Sequence, residues 1–304
     1  MQAMEADFNS IIRSVMDACA DCDTCRFLMN EDCLYFPELY RLVDRQNENG
    51  QPASEHELES VVELCTLCGL CPCPNIRNDI IRAKTALVRT NGMPIGNRLL
   101  ADVQQFGRTC GMVPGLVNTL LSNDHAKGIV KRVTGIHPER KLPRIPDRNF
   151  FTWAKDRGLC SNPTNGNGVA YFAGCTAGYL FPEVGRAAVM TLEQNDVNVF
   201  VPPQQCCGMP TLVEGGIRTT LRRVKSNLDT VLSAKDMGYE PVSSCPTCGF
   251  LMKVLLKEGA YHSDSYQQLI CAGDDVIKIP DDRGSGQFTH LKKSLYGNIL
   301  KDNG

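Results

Sequence analysis

A chain of 304 residues, 42% hydrophobic and 22% charged, has enough apolar material for two cores, and a formal net charge of -2 gives no electrostatic footprint for nucleic acid. The acidic opening MQAMEADFNS gives no expectation of a secretory signal, and no apolar run approaches the roughly 18 residues that span a bilayer. Sixteen cysteines, many at C-x-x-C spacing, argue against a disulfide scaffold in a chain this long and read instead as metal thiolates or redox centres.

In chain order, Phe8, Ile11, Ile12, Val15 and Met16 recur at three and four and predict a short helix. It runs into Cys19-x2-Cys22-x2-Cys25-x7-Cys33. After the polar loop RQNENGQPAS, Ser54 with Glu57 three residues on reads as a capping box. The helix behind it carries Leu58, Val61, Val62 and Cys65 on one face and delivers a cysteine to the core. Cys65 opens a second packet, Cys65-x2-Cys68-x2-Cys71-x-Cys73-Pro74. Two such runs are what a pair of [4Fe–4S] clusters requires: three close thiolates wrap one face of a cube, a fourth comes from the other packet, and a proline turns the chain away. Two structural zinc ions are the alternative, although zinc favours separated cysteine pairs with histidine, and only His56 of the five histidines lies near a packet. The spacing Cys71-Pro72-Cys73 is shorter than the usual one, and Cys33 lies far from its triplet with no proline after it. The assignment of each cysteine to a cluster therefore stays open.

DIIRAKTALVRT reads as a helix with Ile80, Ile81, Ala83, Leu87 and Val88 available for burial. Residues 91–160 are mixed, and the prolines of KLPRIPDRNF predict an extended connector. The basic run Arg140, Lys141, Arg144 and Arg148 reads as a solvated linker, GLVNTLL at 115–121 as packed inside, and Trp153 as a hydrophobic anchor. Cys110 and Cys160 belong to no packet and read as ordinary thiols, Cys110 the more buried.

From residue 168 the pattern becomes strand, helix, strand, helix. GVAYFAG, VNVFVPP and YEPVSS read as strands. Phe181, Val184, Ala188 and Leu192 outline a helix that starts at Pro182. A second helix face is formed by Ile217, Leu221, Val224, Leu228, Val231 and Leu232 and is stopped by Gly238, and GFLMKVLLKEG is a further helix. Cys175, the pair Cys206-Cys207 before Gly208, and the pair Cys245 and Cys248 each fall between a strand end and a helix start, the edge where open α/β sheets bind ligands. No GxGxxG or GxxxxGK[ST] loop occurs, so flavin is expected on a partner, and no Ser/His/Asp arrangement stands out.

The order of two ferredoxin-type packets, a connector, and then FAGC…CCG…CPTC resembles the family that holds the C subunit of anaerobic glycerol-3-phosphate dehydrogenase and the fused C and B subunits of heterodisulfide reductase. The likeness extends over nearly the whole chain, including DIIRAK and VPGLVNTLL…HPERKLPRIPDRNFFTWAKDR. It implies an α+β multidomain protein: a helical ferredoxin-like domain with two [4Fe–4S] cubanes (1–100), a connector (101–165) and an α/β cysteine-rich (CCG) module (166–304). It further implies that Cys175, Cys206, Cys207, Cys245 and Cys248 hold a third, non-cubane [4Fe–4S] cluster. The family's second cysteine-rich module has no counterpart before the chain stops at LYGNILKDNG, and Cys271 alone cannot supply it. The expected role is an electron-transfer subunit in a hetero-oligomer in the cytoplasm, or at the inner membrane face through a partner. It would relay electrons between a flavoprotein dehydrogenase or reductase and a quinone, disulfide or other carrier. The alternatives are a catalytic subunit that cleaves a disulfide at the non-cubane cluster, with Met209, Phe250 and Met252 walling a cleft, and a zinc-bound assembly module.

Overall fold

The computed structural model describes residues 7–161 and 168–255, so Cys271 and the end of the GFLMKVLLKEG segment lie outside the described residues. The N-terminal third is helical. Helix α1 (Phe8–Cys22) is longer than its apolar repeat suggests and carries Cys19 and Cys22 within its last turns. Its buried stripe of Phe8, Ile11, Ile12, Val15, Met16 and Cys19 packs on α3 (Tyr35–Asn49), α4 (Glu55–Leu64) and α5 (Pro74–Asn91). Asp23 ends α1 in the left-handed region, donating its N–H to the Cys19 carbonyl, and α2 (Thr24–Leu28) follows at once. The capping box forms as expected: Ser54 Oγ accepts from Glu57 N–H, and Glu57 accepts from Ser54 N–H at 2.9 Å. Pro74 does more than turn the chain away, because it opens α5, where a missing N–H costs nothing.

Four short helices follow: α6 (Ile95–Ala101), α7 (Val103–Cys110), α8 (Pro114–Ser122) and α9 (Asp124–Thr134). Here the expectation for GLVNTLL fails. No residue of α8 is buried, and Leu116 and Leu120 are 66% and 44% exposed. The helix pairs with α9 and borders a cavity of about 420 Å³ lined by Leu99, Val103, Phe106 and Leu121, so its apolar side chains face open space in place of a core. The connector is extended as expected, and the Asn118 side chain holds it by accepting from Ile145 N–H and donating to Ile145 O, both at 2.8 Å. It leads into α10 (Phe150–Asp156), where Trp153 lies against Phe150 and under the guanidinium groups of Arg157 and Arg186.

The C-terminal part is a parallel sheet with order β2-β1-β3, from β1 (Gly168–Phe172), β2 (Val199–Phe200) and β3 (Tyr239–Ser243). Helix α11 (Pro182–Gln194) joins β1 to β2; α12 (Met209–Val213) and α13 (Ile217–Asp236) join β2 to β3; α14 (Pro246–Phe250) follows β3. The face expected for α11 is rotated. Phe181 and Val184 are exposed, and Pro182, Gly185 and Val189 are buried. Gly185 sets this rotation, because a Cβ there would lie 2.7 Å from the Phe150 ring, and only a bare backbone can approach α10 so closely.

The largest apolar core runs without interruption from Phe8 through the N-terminal helices to Cys175, Cys206, Leu228 and Leu255. Polar contacts stitch the same seam: Asn97 to Glu214 at 2.7 Å, Arg223 to Asp102 at 2.7 Å, and Arg108 to the Tyr179 hydroxyl at 2.9 Å. Among the described residues no helix is long and apolar enough to cross a membrane.

Candidate metal centres

The eight N-terminal cysteines come from the ends of α1 and α4, from α2, and from the loops before α3 and α5. Cys19 and Cys25 are buried, Cys22 and Cys68 exposed, and the others half-buried. Burial raises the Cys19 thiol to about 12, with Cys25, Cys73, Cys22 and Cys71 acting on it in that order. Burial raises Cys25 to about 11, and the first sulfur acting on it is Cys73. Burial also raises Cys65 to about 11; among the sulfurs, Cys71 and Cys33 act on it. Sulfurs of the two packets thus act on one another: Cys73 and Cys71 act on Cys19 and Cys25, and Cys33 acts on Cys25 and Cys65 and shares a cavity with Cys65, Cys68 and Cys71. Cations attend the second packet. Arg77 donates to the Cys71 carbonyl at 2.6 Å and reaches its Sγ at 3.5 Å, and buried Lys84 donates to the Cys65 carbonyl at 2.7 Å. A cavity of about 200 Å³ lies against Cys33, Cys65, Cys68, Cys71 and Tyr35.

The C-terminal set forms at the carboxyl edge of the sheet. Cys175 follows β1, Cys206 and Cys207 follow β2, and Cys245 caps α14 after β3. Four of the five are buried, Cys245 being half-buried. Their sulfurs form a continuous chain. The thiols of Cys175 and Cys207 donate to Cys206 and, with the Gly208 N–H, hold it well below the usual thiol range. The Cys248 thiol, with its one hydrogen, lies within hydrogen-bond reach of both Cys207 and Cys245, and it lowers Cys245 to about 6 with help from the N–H groups of Cys248 and Thr247. Two glycines make room. Gly174 (φ +71°) leaves space for Cys248, whose Sγ would lie 2.9 Å from a Cβ there, and Gly208 (φ +100°) passes close to Thr220.

The double-cysteine turn is held by side-chain amides that the sequence pattern did not reveal. Gln104, from α7, accepts from the Cys206 N–H at 2.6 Å. Asn227 accepts from Gln205 N–H at 2.8 Å and donates to the Cys206 carbonyl, and Gln204 accepts from Gly174 N–H and donates to the Tyr171 carbonyl. A signal for Asn227 existed: Thr220, Arg223 and Asn227 are polar residues buried within the apolar stripe of α13. For Gln104, a residue of an unremarkable short helix, none did. Cys110 is half-buried and Cys160 exposed, in the order expected.

These donor sets suit a soft, multi-iron group. Both are rich in thiols, and both have N–H groups or cations near the sulfurs, as an anionic thiolate cluster needs. Among the described residues no three cysteine, histidine, aspartate or glutamate side chains converge as a single metal ion demands. Phe250 and Met209, expected to wall an open cleft, are committed elsewhere: Phe250 packs on the Gly69 backbone and Met209 is buried in the core.

This thiol-lined sheet edge defines a cysteine-rich domain, and residues 169–253 match the family model of that description, CCG. The chain is 22% identical over 177 residues to the C subunit of anaerobic glycerol-3-phosphate dehydrogenase of Escherichia coli K12, covering 58% of this chain and 44% of that protein. It is 32% identical over 91 residues to an uncharacterized iron–sulfur protein of Methanococcus maripaludis, covering 30% of this chain and 18% of that one. It is 31% identical over 103 residues to lactate utilization protein A of Halalkalibacterium halodurans, covering 34% of this chain and 42% of that one. The chain thus spans less than half the length of these relatives. No solved structure matches. Residues 169–253 thus carry a cysteine-rich CCG domain, and the chain is similar to the C subunit of anaerobic glycerol-3-phosphate dehydrogenase and to iron–sulfur proteins.

Proposed function

We propose that this chain is the electron-relay subunit of a hetero-oligomeric oxidoreductase. In this reading Cys19, Cys22, Cys25 and Cys73 hold one [4Fe–4S] cubane, and Cys65, Cys68, Cys71 and Cys33 hold the other. Cys175, Cys206, Cys207, Cys245 and Cys248 hold a third, non-cubane cluster. Bound there, the clusters would supply one-electron uptake and release.

The observation that carries the proposal is the seam between the two regions. Gly69, in the loop between Cys68 and Cys71, lies against the Phe250 ring two residues beyond Cys248. Lys84 bridges the Cys65 carbonyl and the Val213 carbonyl, at 2.7 and 2.8 Å. The second packet is therefore fixed against the cysteine-rich module, and the first stands beside exposed Phe27 and Leu28. Those exposed apolar side chains, with Leu34 and Leu70 next to Cys33 and Cys71, suit docking of a flavoprotein dehydrogenase or reductase that donates electrons. Arg77, Lys84 and Arg223 offset thiolate charge along the route. The acceptor is a quinone, a disulfide or another carrier, met in the cytoplasm or at the inner membrane face through a partner. With Phe250 and Met209 engaged in packing, the relay is favoured over disulfide cleavage at the third site.

Iron and sulfide quantification with EPR on anaerobically purified protein tests this reading. About twelve irons per chain are expected, falling to about eight in Cys206→Ser with the cubane signals unchanged. Stoichiometric zinc without sulfide would refute it.

A further inference from the structure

The first residue of α3, Tyr35, is 1% exposed, and its hydroxyl has no hydrogen-bond partner among the described residues. Buried hydroxyls are rarely left in that state. Tyr40, five residues on in the same helix, shows the ordinary outcome: it donates to the Cys19 carbonyl at 3.1 Å. Tyr35 instead lines the cavity bounded by Cys33, Cys65, Cys68 and Cys71. After burial itself, the groups that act most on its hydroxyl are the sulfurs of Cys19, then Cys65, Cys33 and Cys71. Its ring is fixed edge-on against Phe36, with centroids 5.2 Å apart, and the side chain is packed in the N-terminal core. A polar atom has been carried to the junction of two thiol sets and given nothing in the protein to bind.

We infer that the Tyr35 hydroxyl is a hydrogen-bond donor to sulfur at the second N-terminal site and sets that site's reduction potential relative to the first. The inference rests on the cluster assignment proposed above. Reduction adds one electron to the site and moves no proton, so the hydroxyl keeps its hydrogen throughout. The reduced site is the more negative, and a donor at its sulfur stabilises it more than the oxidised one. Tyr35 therefore raises the potential of the site facing the cysteine-rich module and favours electron flow toward it. It is a positioning and tuning residue, not a ligand.

Tyr35→Phe removes one oxygen and preserves the ring. In an EPR-monitored redox titration of the full chain, one N-terminal couple should move to lower potential by about tenfold in its one-electron equilibrium constant, or about 59 mV. The other couple and the iron content should stay unchanged. Placing 3-fluorotyrosine at position 35 keeps the shape and strengthens the donor, so the same couple should rise; this second arm serves if the Phe variant fails to load iron. Full iron with both potentials unmoved in either variant would overturn the inference and point to a buried water as the hydroxyl's partner. Wild-type protein without iron and sulfide would instead overturn the cluster assignment itself.

Discussion

The two thiol-bearing regions are built by different means. In the N-terminal region the cysteines are close in sequence, their supports are local, and two sulfurs, Cys22 and Cys68, reach solvent. The salt bridges there join neighbouring turns and helices, as Arg26 to Asp23 and Asp44, and Arg45 to Glu57. In the cysteine-rich module the sulfurs come from three strand ends, four of the five are buried, and their supports come from far along the chain, Gln104 to the Cys206 N–H above all. The first arrangement suits exchange with a partner; the second protects a site that must keep its geometry. The difference predicts that injuries to each region stay within it unless they strike the seam.

The largest effect is expected at Phe150, fully buried between Tyr171, Trp153 and Gly185 in the core on one face of the sheet. Phe150→Ala should cost about 3–5 kcal/mol, read as a lowered denaturant midpoint at unchanged slope. The N-terminal cluster signals should persist, and their loss would break the separation of the two regions. Lys84 is the opposite case because it lies in the seam. Lys84→Met leaves the Cys65 and Val213 carbonyls without their shared donor, and about 2 kcal/mol should be lost. Signals from both regions should broaden together; a change confined to one would show that the seam does not couple them.

The same contrast governs what was legible in the sequence. The packets, the Ser54 cap and the three strands could be read because each is written in a local spacing or period. Two misreadings have one root, a tertiary environment that local spacing does not encode. The face of α11 is set by Gly185 meeting Phe150, and the apolar side chains of α8 stay exposed because they border a cavity and no core element covers them among the described residues. Gln104 and Lys84 were invisible for the same reason: their partners lie 102 and 129 residues away. Spacing names the cysteines, but only the packed chain shows that sulfurs of the two packets act on one another, Cys73 on Cys25 and Cys33 on both Cys25 and Cys65.

Gly174 sharpens the comparison at the level of one methyl group. Alanine there is disfavoured at φ +71° and pushes on the Cys248 sulfur, 2.9 Å from the new Cβ. The backbone cost is about 1–2 kcal/mol. On the proposed cluster assignment, iron should fall by about four per chain in Gly174→Ala, with about eight retained at the N-terminal sites. Retention of all the iron would mean the thiol chain tolerates movement and is less rigid than its burial implies.

The smallest effect belongs to the local cap at Ser54, and it carries a pH signature. Arg45 first, then the N–H and hydroxyl of Ser54, hold the Glu57 carboxyl well below its usual range. A depressed folded value contributes stability above the unfolded pKa of about 4.3, and that contribution fades as the pH falls below it. Ser54→Ala should cost about 1 kcal/mol at pH 7. Part of that cost is the hydroxyl's bond to the ionised carboxylate at 2.8 Å, and the rest is its bond from the Glu57 N–H, which needs no charge. The gap between wild type and variant should therefore narrow, without closing, between pH 7 and pH 3 in urea titrations. A gap that is constant with pH would assign the whole effect to the backbone cap and leave Glu57 linked only to Arg45. Because the cap is local, neither the iron content nor the third site's signal should change in the variant at any pH where the protein stays folded.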